Sequence, residues 1–349
     1  MPTENALLLI AKSDKILVAG AGGFIGGHFI KNLIQQGFYN IRAVDIKPRD
    51  TWFQKFDTVD NSIGDLRLLD TCHTVMNNVD WVFNFACDMG GMGFIENHKV
   101  ECMLSVLANT HLLVAAHNAG VKRFLYSSSA CVYRADKQTS TDVTALTESD
   151  AYPAMPEDGY GWEKLFSERM SLHFAEDNGL LTRIPRLHNV YGPMGTFDGG
   201  REKAPAAICR KVAMAKLSGL SDIEIWGDGH QTRSFQYIDD CVLGVQKIFS
   251  SDITEPINLG SSEMVSINQL VDMVEAIAGI TLNRAYKLDA PKGVRGRNSD
   301  NTMIQAELGW QPSTKLQDGL STTYAWIYDE LSNGRNQSLF TSNYTLPSL

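Results

Sequence analysis

The sequence predicts an α/β protein with a doubly wound parallel sheet and a second, smaller C-terminal domain. Three observations lead to this prediction. The chain has 349 residues, 44% of them apolar, which is enough for about two domains, each with its own core. Short β-branched runs alternate with longer helical stretches over the first 190 residues. After Tyr191, a segment rich in glycine and turn-forming residues interrupts this alternation.

The predicted strands of the first domain are apolar almost throughout, and a predicted helix follows most of them. Strands of this kind lie in a parallel sheet that helices cover on both faces. The strands are predicted at residues 15–20, 41–45, 81–86, 123–129 and 180–187, and the clearest helices at 24–36, 104–119 and 160–177.

The change of composition after Tyr191 places the domain boundary there, with a first domain over residues 1–190 and a second over 191–349. Residues 234–240 and 255–261 are predicted as further strands that return to the first sheet. The stretch of about 234–262 would therefore complete the first domain, and the second domain would be discontinuous. The polar C-terminal residues 333–349 are predicted to form a loosely held tail.

Charge and composition exclude several classes of function. The net charge is −9, with 31 basic and 40 acidic residues and no basic run, so nucleic acid is not expected as a partner. The longest apolar stretches reach six residues, whereas a membrane span needs about twenty. No basic segment precedes the apolar residues 6–11, so a cytoplasmic location is expected. The six cysteines include no C-x-x-C pair, and no metal site is predicted.

A glycine-rich turn follows the first predicted strand. Gly20, Gly23 and Gly26 have the G-x-x-G-x-x-G spacing, and a helix begins at Phe24. Such a turn lets backbone N–H groups and a helix N-terminus approach a pyrophosphate, which predicts a Rossmann-type dinucleotide site. Phe24 and Ile25 are predicted, with the three glycines, to contact the cofactor. A turn without a ligand is the alternative.

Acidic residues after the second and third strands indicate which dinucleotide binds. Asp45 ends the second strand, where a carboxylate accepts ribose hydroxyls and repels a 2′-phosphate, so NAD is preferred to NADP. Lys47 and Arg49 follow at once and keep NADP open. Asp65 is either a ligand of the adenine amino group or a solvated loop residue.

Tyr160 and Lys164 form a Y-x-x-x-K pair at the start of a predicted helix. Residues four apart share one helix face, so the ammonium lies near the phenol and favours its ionised form. An amphipathic helix with one aromatic residue in the core would give the same pattern.

The glycine turn, Ser129, Tyr160 and Lys164, in this order and spacing, resemble the extended short-chain dehydrogenase/reductase family over about residues 15–320. Most members of that family act on nucleotide-linked sugars and oxidise carbon 4 by hydride transfer to a tightly held NAD. The resemblance therefore implies that Tyr160 is the base for the carbon-4 hydroxyl. It also makes Lys164 an electrostatic helper and Ser129 a hydrogen-bond donor.

Cys131 stands two residues after Ser129, where sugar dehydratases of the family carry an acid and plain 4-epimerases carry threonine. A thiolate can remove protons from carbons 3 and 5 once carbon 4 is a ketone. Lys203, in the G-G-R-E-K-A-P segment, would return protons from the opposite face; a solvated basic loop is the alternative. Together with DMGGMGF and GVRGRNSDN, these blocks resemble the branch of the family that epimerises GDP-mannose.

That closer resemblance implies GDP-mannose as substrate, GDP-L-galactose and GDP-L-gulose as products, and a homodimer. It marks further substrate contacts, of which the basic side chains would meet the diphosphate. These contacts are Gly90, His188, Asn189, Glu202, Lys211, Gln231, Arg233 and Arg297.

Two other functions stay open at this point. One is the related branch that epimerises and reduces GDP-4-keto-6-deoxymannose, which also has a cysteine in this loop. That branch takes its second acid from histidine and uses NADPH. The other is a module that binds NAD without catalysis, although loss of catalysis normally removes residues such as Tyr160 or Lys203, and both are present.

Overall fold

The computed structural model describes residues 7–334. Six strands form one parallel sheet in the order β3-β2-β1-β4-β5-β7, and shorter strands form small sheets beside it. The strands are β1 Ile16–Ala19, β2 Ile41–Asp45, β3 Asp60–Ile63, β4 Trp81–Asn84, β5 Arg123–Tyr126, β6 Ser128–Ser129, β7 Thr182–Arg183, β8 Pro185–Leu187, β9 Val190–Tyr191, β10 Asp222–Trp226, β11 Thr232–Ser234, β12 Gln236–Tyr237, β13 Ile257–Leu259, β14 Met264–Ser266, β15 Asn283–Lys287 and β16 Gly296–Arg297.

Helices cover the sheet and build the C-terminal part of the chain. They are α1 Phe24–Gln35, α2 Leu69–Val75, α3 Met92–Asn97, α4 Lys99–Met103, α5 Ser105–Asn118, α6 Tyr160–Asn178, α7 Ala204–Ser218, α8 Ile238–Ser250, α9 Ile267–Ala278, α10 Thr302–Leu308 and α11 Leu316–Ser332.

Both faces of the large sheet are buried, as the sequence predicted. Ile16 and Val18 of β1 belong to a core that includes residues of α1 and α8. Leu17 and Ala19 of the same strand point into a second core with residues of α2 and α5. Alternate residues of one strand enter different cores because side chains alternate across a sheet. The prediction of a doubly wound parallel sheet is confirmed.

The chain leaves the large sheet at the carboxyl ends of its strands and forms a second, smaller sheet there. One residue separates β5 from β6 and one separates β7 from β8. Strand β8 pairs in parallel with β6 on one side and with β13 on the other. Since ligands of doubly wound folds bind outside the carboxyl ends of the strands, this region is where the functional residues are expected.

A separate core holds the C-terminal part together. Helices α7, α9 and α11 pack against one another, and α7 also packs on β10, which pairs with β15. Strand β11 lies between β14 and β16. This arrangement places β11 and β16 near the carboxyl edge of the large sheet, because residues of β16 contact the turn after β6.

The prediction of one strand over residues 234–240 is wrong in its second half, because α8 begins at Ile238. Asp239 and Asp240 lie in the first turn of that helix, where acidic side chains complement the helix dipole. The domain boundary after residue 190 stays a prediction. The predicted C-terminal tail lies, apart from its first two residues, outside the described residues.

One segment of the described chain, Lys99–Asn118, is long and apolar enough to cross a membrane by length and composition alone, with a mean hydropathy of 1.3. In the structure it is broken into α4 and α5. Helix α5 packs against α2 and α6, and Leu112 and Leu113 are completely buried in the core. Core helices of this kind satisfy the same criteria of length and hydropathy.

Candidate active site

The glycine turn between β1 and α1 allows its backbone segments to approach very closely. Gly20 has a φ of +77°, a conformation that glycine adopts without strain. A Cβ at Gly26 would lie 2.2 Å from the carbonyl oxygen of Gly20. Asp45 accepts hydrogen bonds from the backbone N–H groups of Gly22 and Lys47, both at 2.9 Å. The turn is therefore a cradle for an anion, with a carboxylate fixed at its edge.

The segment after β2, residues 47–53, packs against this glycine turn and is called the strap. The Trp52 side chain packs directly on Gly22, where a Cβ would lie 2.5 Å from the indole ring. The indole N–H of Trp52 donates to the carbonyl of Lys47 at 3.0 Å. The Phe53 ring packs edge-on against Trp326 of α11, with centroids 6.2 Å apart. The strap thus joins the glycine turn to the C-terminal part of the chain.

Asp65 lies after β3 and forms an ion pair with Arg67, with oxygen and nitrogen 2.6 Å apart. Burial raises the pKa of Asp65, but the hydrogen bonds and positive charge of Arg67 more than compensate, so its pKa lies below the usual value. Asp65 is therefore an ionised hydrogen-bond acceptor. Its predicted contact with adenine stays a prediction.

The first turn of α6 carries Tyr160 and Lys164, and both side chains are buried. The Lys164 ammonium donates to the carbonyl of Ser127 at 3.1 Å and lies 5.5 Å from the centroid of the Tyr160 ring. Burial raises the pKa of Tyr160 well above its usual value, whereas a hydrogen bond with Ser129 lowers it. The chain alone therefore keeps the phenol protonated, and ionisation requires additional positive charge beside it.

Cys131 lies in a short turn after β6, against the start of α6. Its backbone N–H donates to the Ser129 hydroxyl at 3.2 Å. A Cβ at Gly161 would lie 2.4 Å from the Cys131 carbonyl oxygen, so only glycine permits this close contact. Cys131 and Tyr160 belong to one small buried cluster. The structure therefore brings Ser129, Cys131 and Tyr160 together, as the sequence predicted.

Lys203 immediately precedes α7 and approaches Cys131 from another loop. That loop contacts the DMGGMGF segment: Gly91 N–H donates to the Arg201 carbonyl at 3.0 Å, and Asp88 pairs with Arg201 at 2.5 Å. Burial lowers the pKa of Lys203, whereas the neighbouring Cys131 raises it. Two loops from different parts of the sequence therefore place a cation within electrostatic range of the thiol.

The remaining predicted substrate contacts lie in different surroundings, and not all of them can bind a substrate through charge. Gly90 is buried in the loop before α3, near Arg201. His188 is completely buried, its Nε2 donates to Oδ1 of Asn258 at 2.7 Å, and burial lowers its pKa to about 3. It is therefore neutral and gives no charge to a diphosphate. Asn189 donates to the Ser234 carbonyl at 2.9 Å.

Several of the other predicted contacts already have protein partners. Glu202 binds Arg210 at 3.2 Å, and Lys211 donates to the Glu224 carbonyl at 2.8 Å. Gln231 donates to the Trp226 carbonyl at 2.8 Å, while its Oε1 is buried without a partner among the described residues. Arg233 donates to the Thr232 carbonyl at 2.7 Å. Their substrate roles stay predictions.

Sequence reasoning missed four residues that organise the site: Gln138, Glu157, Asp88 and Arg201. Gln138 and Glu157 bind Arg297, and Asp88 pairs with Arg201 across two loops. Asp88 lies in the DMGGMGF segment and Arg201 in the G-G-R-E-K-A-P segment. Their opposite charges could have predicted that these two segments pair. Gln138 and Glu157 carry no local pattern, because their partner lies more than 100 residues away.

Comparison with known proteins defines the class first. The model of the NAD dependent epimerase/dehydratase family matches residues 16–260, and the chain belongs to this family. It is 46% identical over 331 residues to GDP-mannose 3,5-epimerase 1 of Oryza sativa subsp. indica, covering 95% of this chain and 86% of the relative. It is 45% identical over 347 residues to GDP-mannose 3,5-epimerase of Arabidopsis thaliana, covering 98% and 88%.

A solved structure extends the comparison to the cofactor. The chain is 30% identical to MoeE5 in complex with UDP-glucose and NAD, with a TM-score of 0.75 over 91% of this chain and 99% of that one. The cofactor of this chain is NAD. The residues fit it: a cradle that a Cβ would fill at Gly26 and a fixed carboxylate at Asp45. Tyr160 and Lys164 lie at the carboxyl end of the same sheet.

We expect the protein to retain NAD during purification and the Gly26→Ala variant to lose it. The added Cβ would meet the backbone of Gly20, which cannot move as a flexible side chain can, so the cradle must open. Protein purified without added nucleotide should release about one equivalent of NAD on denaturation, and Gly26→Ala about tenfold less. Chromatography of the released nucleotide measures both.

Gly27→Ala is the matched control, since a Cβ there meets only the flexible Gln54 side chain, at 3.2 Å. Equal NAD content in a folded Gly26→Ala protein would show that the cradle does not hold the cofactor. Release of NADP would contradict the role given to Asp45.

Proposed function

We propose that the protein is a GDP-mannose 3,5-epimerase, which converts GDP-mannose to GDP-L-galactose and GDP-L-gulose. The observation that carries the proposal is the convergence of Cys131 and Lys203 on the buried Tyr160 site. Oxidation at carbon 4 needs only Tyr160, Lys164 and Ser129. A thiol and a second ammonium beside them provide an acid/base pair for two neighbouring carbons.

Tyr160 begins the reaction by accepting the proton of the carbon-4 hydroxyl, while Ser129 donates a hydrogen bond to the same oxygen. Lys164, held by the Ser127 carbonyl, stabilises the phenolate. When held by the glycine cradle and Asp45, NAD would supply the hydride acceptor and the hydride donor, and its oxidised form would supply positive charge. The product of this step is a 4-keto sugar on which the other two residues act.

Cys131 then removes a proton from carbon 5 or carbon 3, whose acidity the ketone raises, and Lys203 donates a proton from the opposite side of the ring. Burial lowers the pKa of Lys203 toward neutral pH, which suits proton exchange there. Burial raises the pKa of Cys131, so ionisation of this thiol depends on neighbouring positive charge. The return of the hydride to carbon 4 ends the cycle.

Asp45 and Lys203 argue against the related epimerase-reductase branch. Asp45 is fixed by two backbone N–H groups at the cradle, and its charge repels a 2′-phosphate. Lys203 supplies a second acid where that branch uses histidine.

All six cysteines are free, which supports the proposal of a reducing, cytoplasmic location.

In deuterated water, we expect deuterium to enter the sugar at carbons 3 and 5 and never at carbon 4. Protons at carbons 3 and 5 exchange through Cys131 and Lys203, whereas the hydrogen at carbon 4 travels as hydride. Mass spectrometry and NMR of the recovered sugar measure the positions. Cys131→Ala and Lys203→Ala should each reduce epimerisation by about a hundredfold or more.

Cys87→Ala is the control, because Cys87 packs in the same cluster as Cys131 but has no role in the proposed reaction. Exchange at the wild-type rate in Cys131→Ala would refute the assignment of the base. Deuterium found at carbon 4 would refute the hydride route.

We also propose a homodimer formed through α4 and α6. Val100, Met103, Trp162 and Phe166 on these helices are apolar and between 41% and 68% exposed. Val100, Met103 and Trp162 line a groove together with Leu104 and Gly159, and the ion pair of Lys99 and Asp158 also lines it. An apolar surface of this kind marks an interaction site, and a second copy of α6 is the partner that the family resemblance implies.

Trp162→Glu should convert the dimer to a monomer, because the dimer would bury two carboxylates without partners. We expect the dissociation constant to rise by at least about a hundredfold. Sedimentation equilibrium measures it, with Tyr39→Glu as control, since Tyr39 is 67% exposed outside this surface. An unchanged dimer in Trp162→Glu would place the interface elsewhere.

A further inference from the structure

Arg297 of β16 joins Cys131 to a buried carboxylate that the proposed mechanism does not use. The Arg297 side chain is buried. Its Nη1 donates to the sulfur of Cys131 at 3.5 Å, and its Nε donates to Oε1 of Gln138 at 2.6 Å. Its Nη2 donates to Oε1 of Glu157. The guanidinium is therefore held from three directions, and one of its nitrogens faces the thiol.

Glu157 is attached to the same turn through its backbone. Its N–H donates to the Cys131 carbonyl at 3.1 Å. Its side chain is 10% exposed, and Oε2 is buried without a hydrogen-bond partner in the described part of the chain. A buried carboxylate oxygen without a donor is costly, and the ion pair with Arg297 offsets part of that cost.

We propose that Glu157 is a positioning residue for the reaction at Cys131: its carboxylate holds the Arg297 guanidinium against the sulfur and balances its positive charge. The inference rests on the proposed function, in which Cys131 is the base. It adds to Arg297 a role at the thiol, beside the diphosphate contact that the sequence predicted. It also explains why a carboxylate lies three residues before Tyr160 at the start of α6.

The effect of Glu157 on the thiol follows from charge. Burial raises the pKa of Cys131, the Glu157 carboxylate raises it further, and Arg297 lowers it. The other titratable or charged groups that act on Cys131 are Tyr160, Lys164, Lys203 and Arg233. Replacing Glu157 by glutamine leaves those four in place and keeps an oxygen that accepts from Arg297.

Glu157 and Arg297 carry opposite charges and therefore shift the pH dependence in opposite directions. A base must be ionised, so activity is lost as the pH falls through the pKa of Cys131. Glu157→Gln removes a negative charge and should move this limb to lower pH. Arg297→Gln removes a positive charge and should move it to higher pH. Two variants of one ion pair thus shift the same titration in opposite directions.

The experiment measures the alkylation rate of Cys131 by iodoacetamide as a function of pH, with the modified peptide identified by mass spectrometry. We expect the midpoint to fall by about one pH unit in Glu157→Gln, which is about a tenfold gain in thiolate below the midpoint. We expect it to rise by about as much in Arg297→Gln.

Asp136→Asn is the matched control, because Asp136 also pairs with an arginine, Arg134, but its side chain is 44% exposed. Its midpoint should equal that of the wild type. Circular dichroism and thermal unfolding establish that each variant is folded. If Glu157→Gln does not fold, the Arg297→Gln variant alone tests the proposal. An unchanged or lower midpoint of Cys131 alkylation in that variant would then overturn the proposal.

A folded Glu157→Gln protein with an unchanged or higher midpoint would also overturn it. Loss of GDP binding in Arg297→Gln with an unchanged Cys131 midpoint would give Arg297 a role at the diphosphate only. Alkylation is measured without substrate. If the two variants show these shifts but the wild-type protein shows no solvent exchange into GDP-mannose, the proposed function is refuted, whereas the action of Glu157 and Arg297 on the Cys131 thiol still stands.

Discussion

The close contact between the first turn of α6 and the Cys131 turn is the constraint on which the site depends. Gly161 lies so close to the Cys131 carbonyl oxygen that any Cβ would clash, and the Glu157 N–H donates to the same oxygen. The Lys164 ammonium donates to the carbonyl of Ser127, the residue between β5 and β6. These contacts make Ser129, Cys131, Tyr160 and Lys164 one rigid group, and preorganisation of this kind is what catalysis requires.

Lys203 belongs to a loop that is distant in sequence from Cys131 and Tyr160. The loop with Asp88 and Gly91 binds the loop with Arg201 through an ion pair and a backbone hydrogen bond, and Lys203 follows directly. Burial favours the neutral forms of both Cys131 and Lys203. A negative charge on Cys131 raises the pKa of Lys203. A thiolate at Cys131 therefore favours the protonated form of Lys203, which is the form that the proposed reaction needs as its acid.

Local sequence patterns were sufficient to predict the large sheet, the glycine cradle and the Tyr160 helix. Apolar runs predict strands that are buried on both faces of a sheet, and the spacing of the glycines predicts a tight turn. The resemblance, rather than any spacing, brought Cys131 and Lys203 together, and the structure agrees with that grouping. The partners of Arg297 could not be predicted, because Gln138 and Glu157 meet it only through the packing of β16 against the turn after β6. Residues 238–240 were misassigned because the run SFQYIDD gives no sign of where the strand ends and the helix begins.

The central claim is that Tyr160 and Cys131 act in sequence on one sugar, oxidation first and proton removal second. Rapid mixing of Cys131→Ala protein with GDP-mannose tests it most directly, with the absorbance of reduced nicotinamide as the signal. The account predicts that this signal forms in Cys131→Ala, forms more slowly when carbon 4 carries deuterium, and is absent when Tyr160→Phe is added. An equal signal with Tyr160→Phe present, or none in Cys131→Ala, would contradict it.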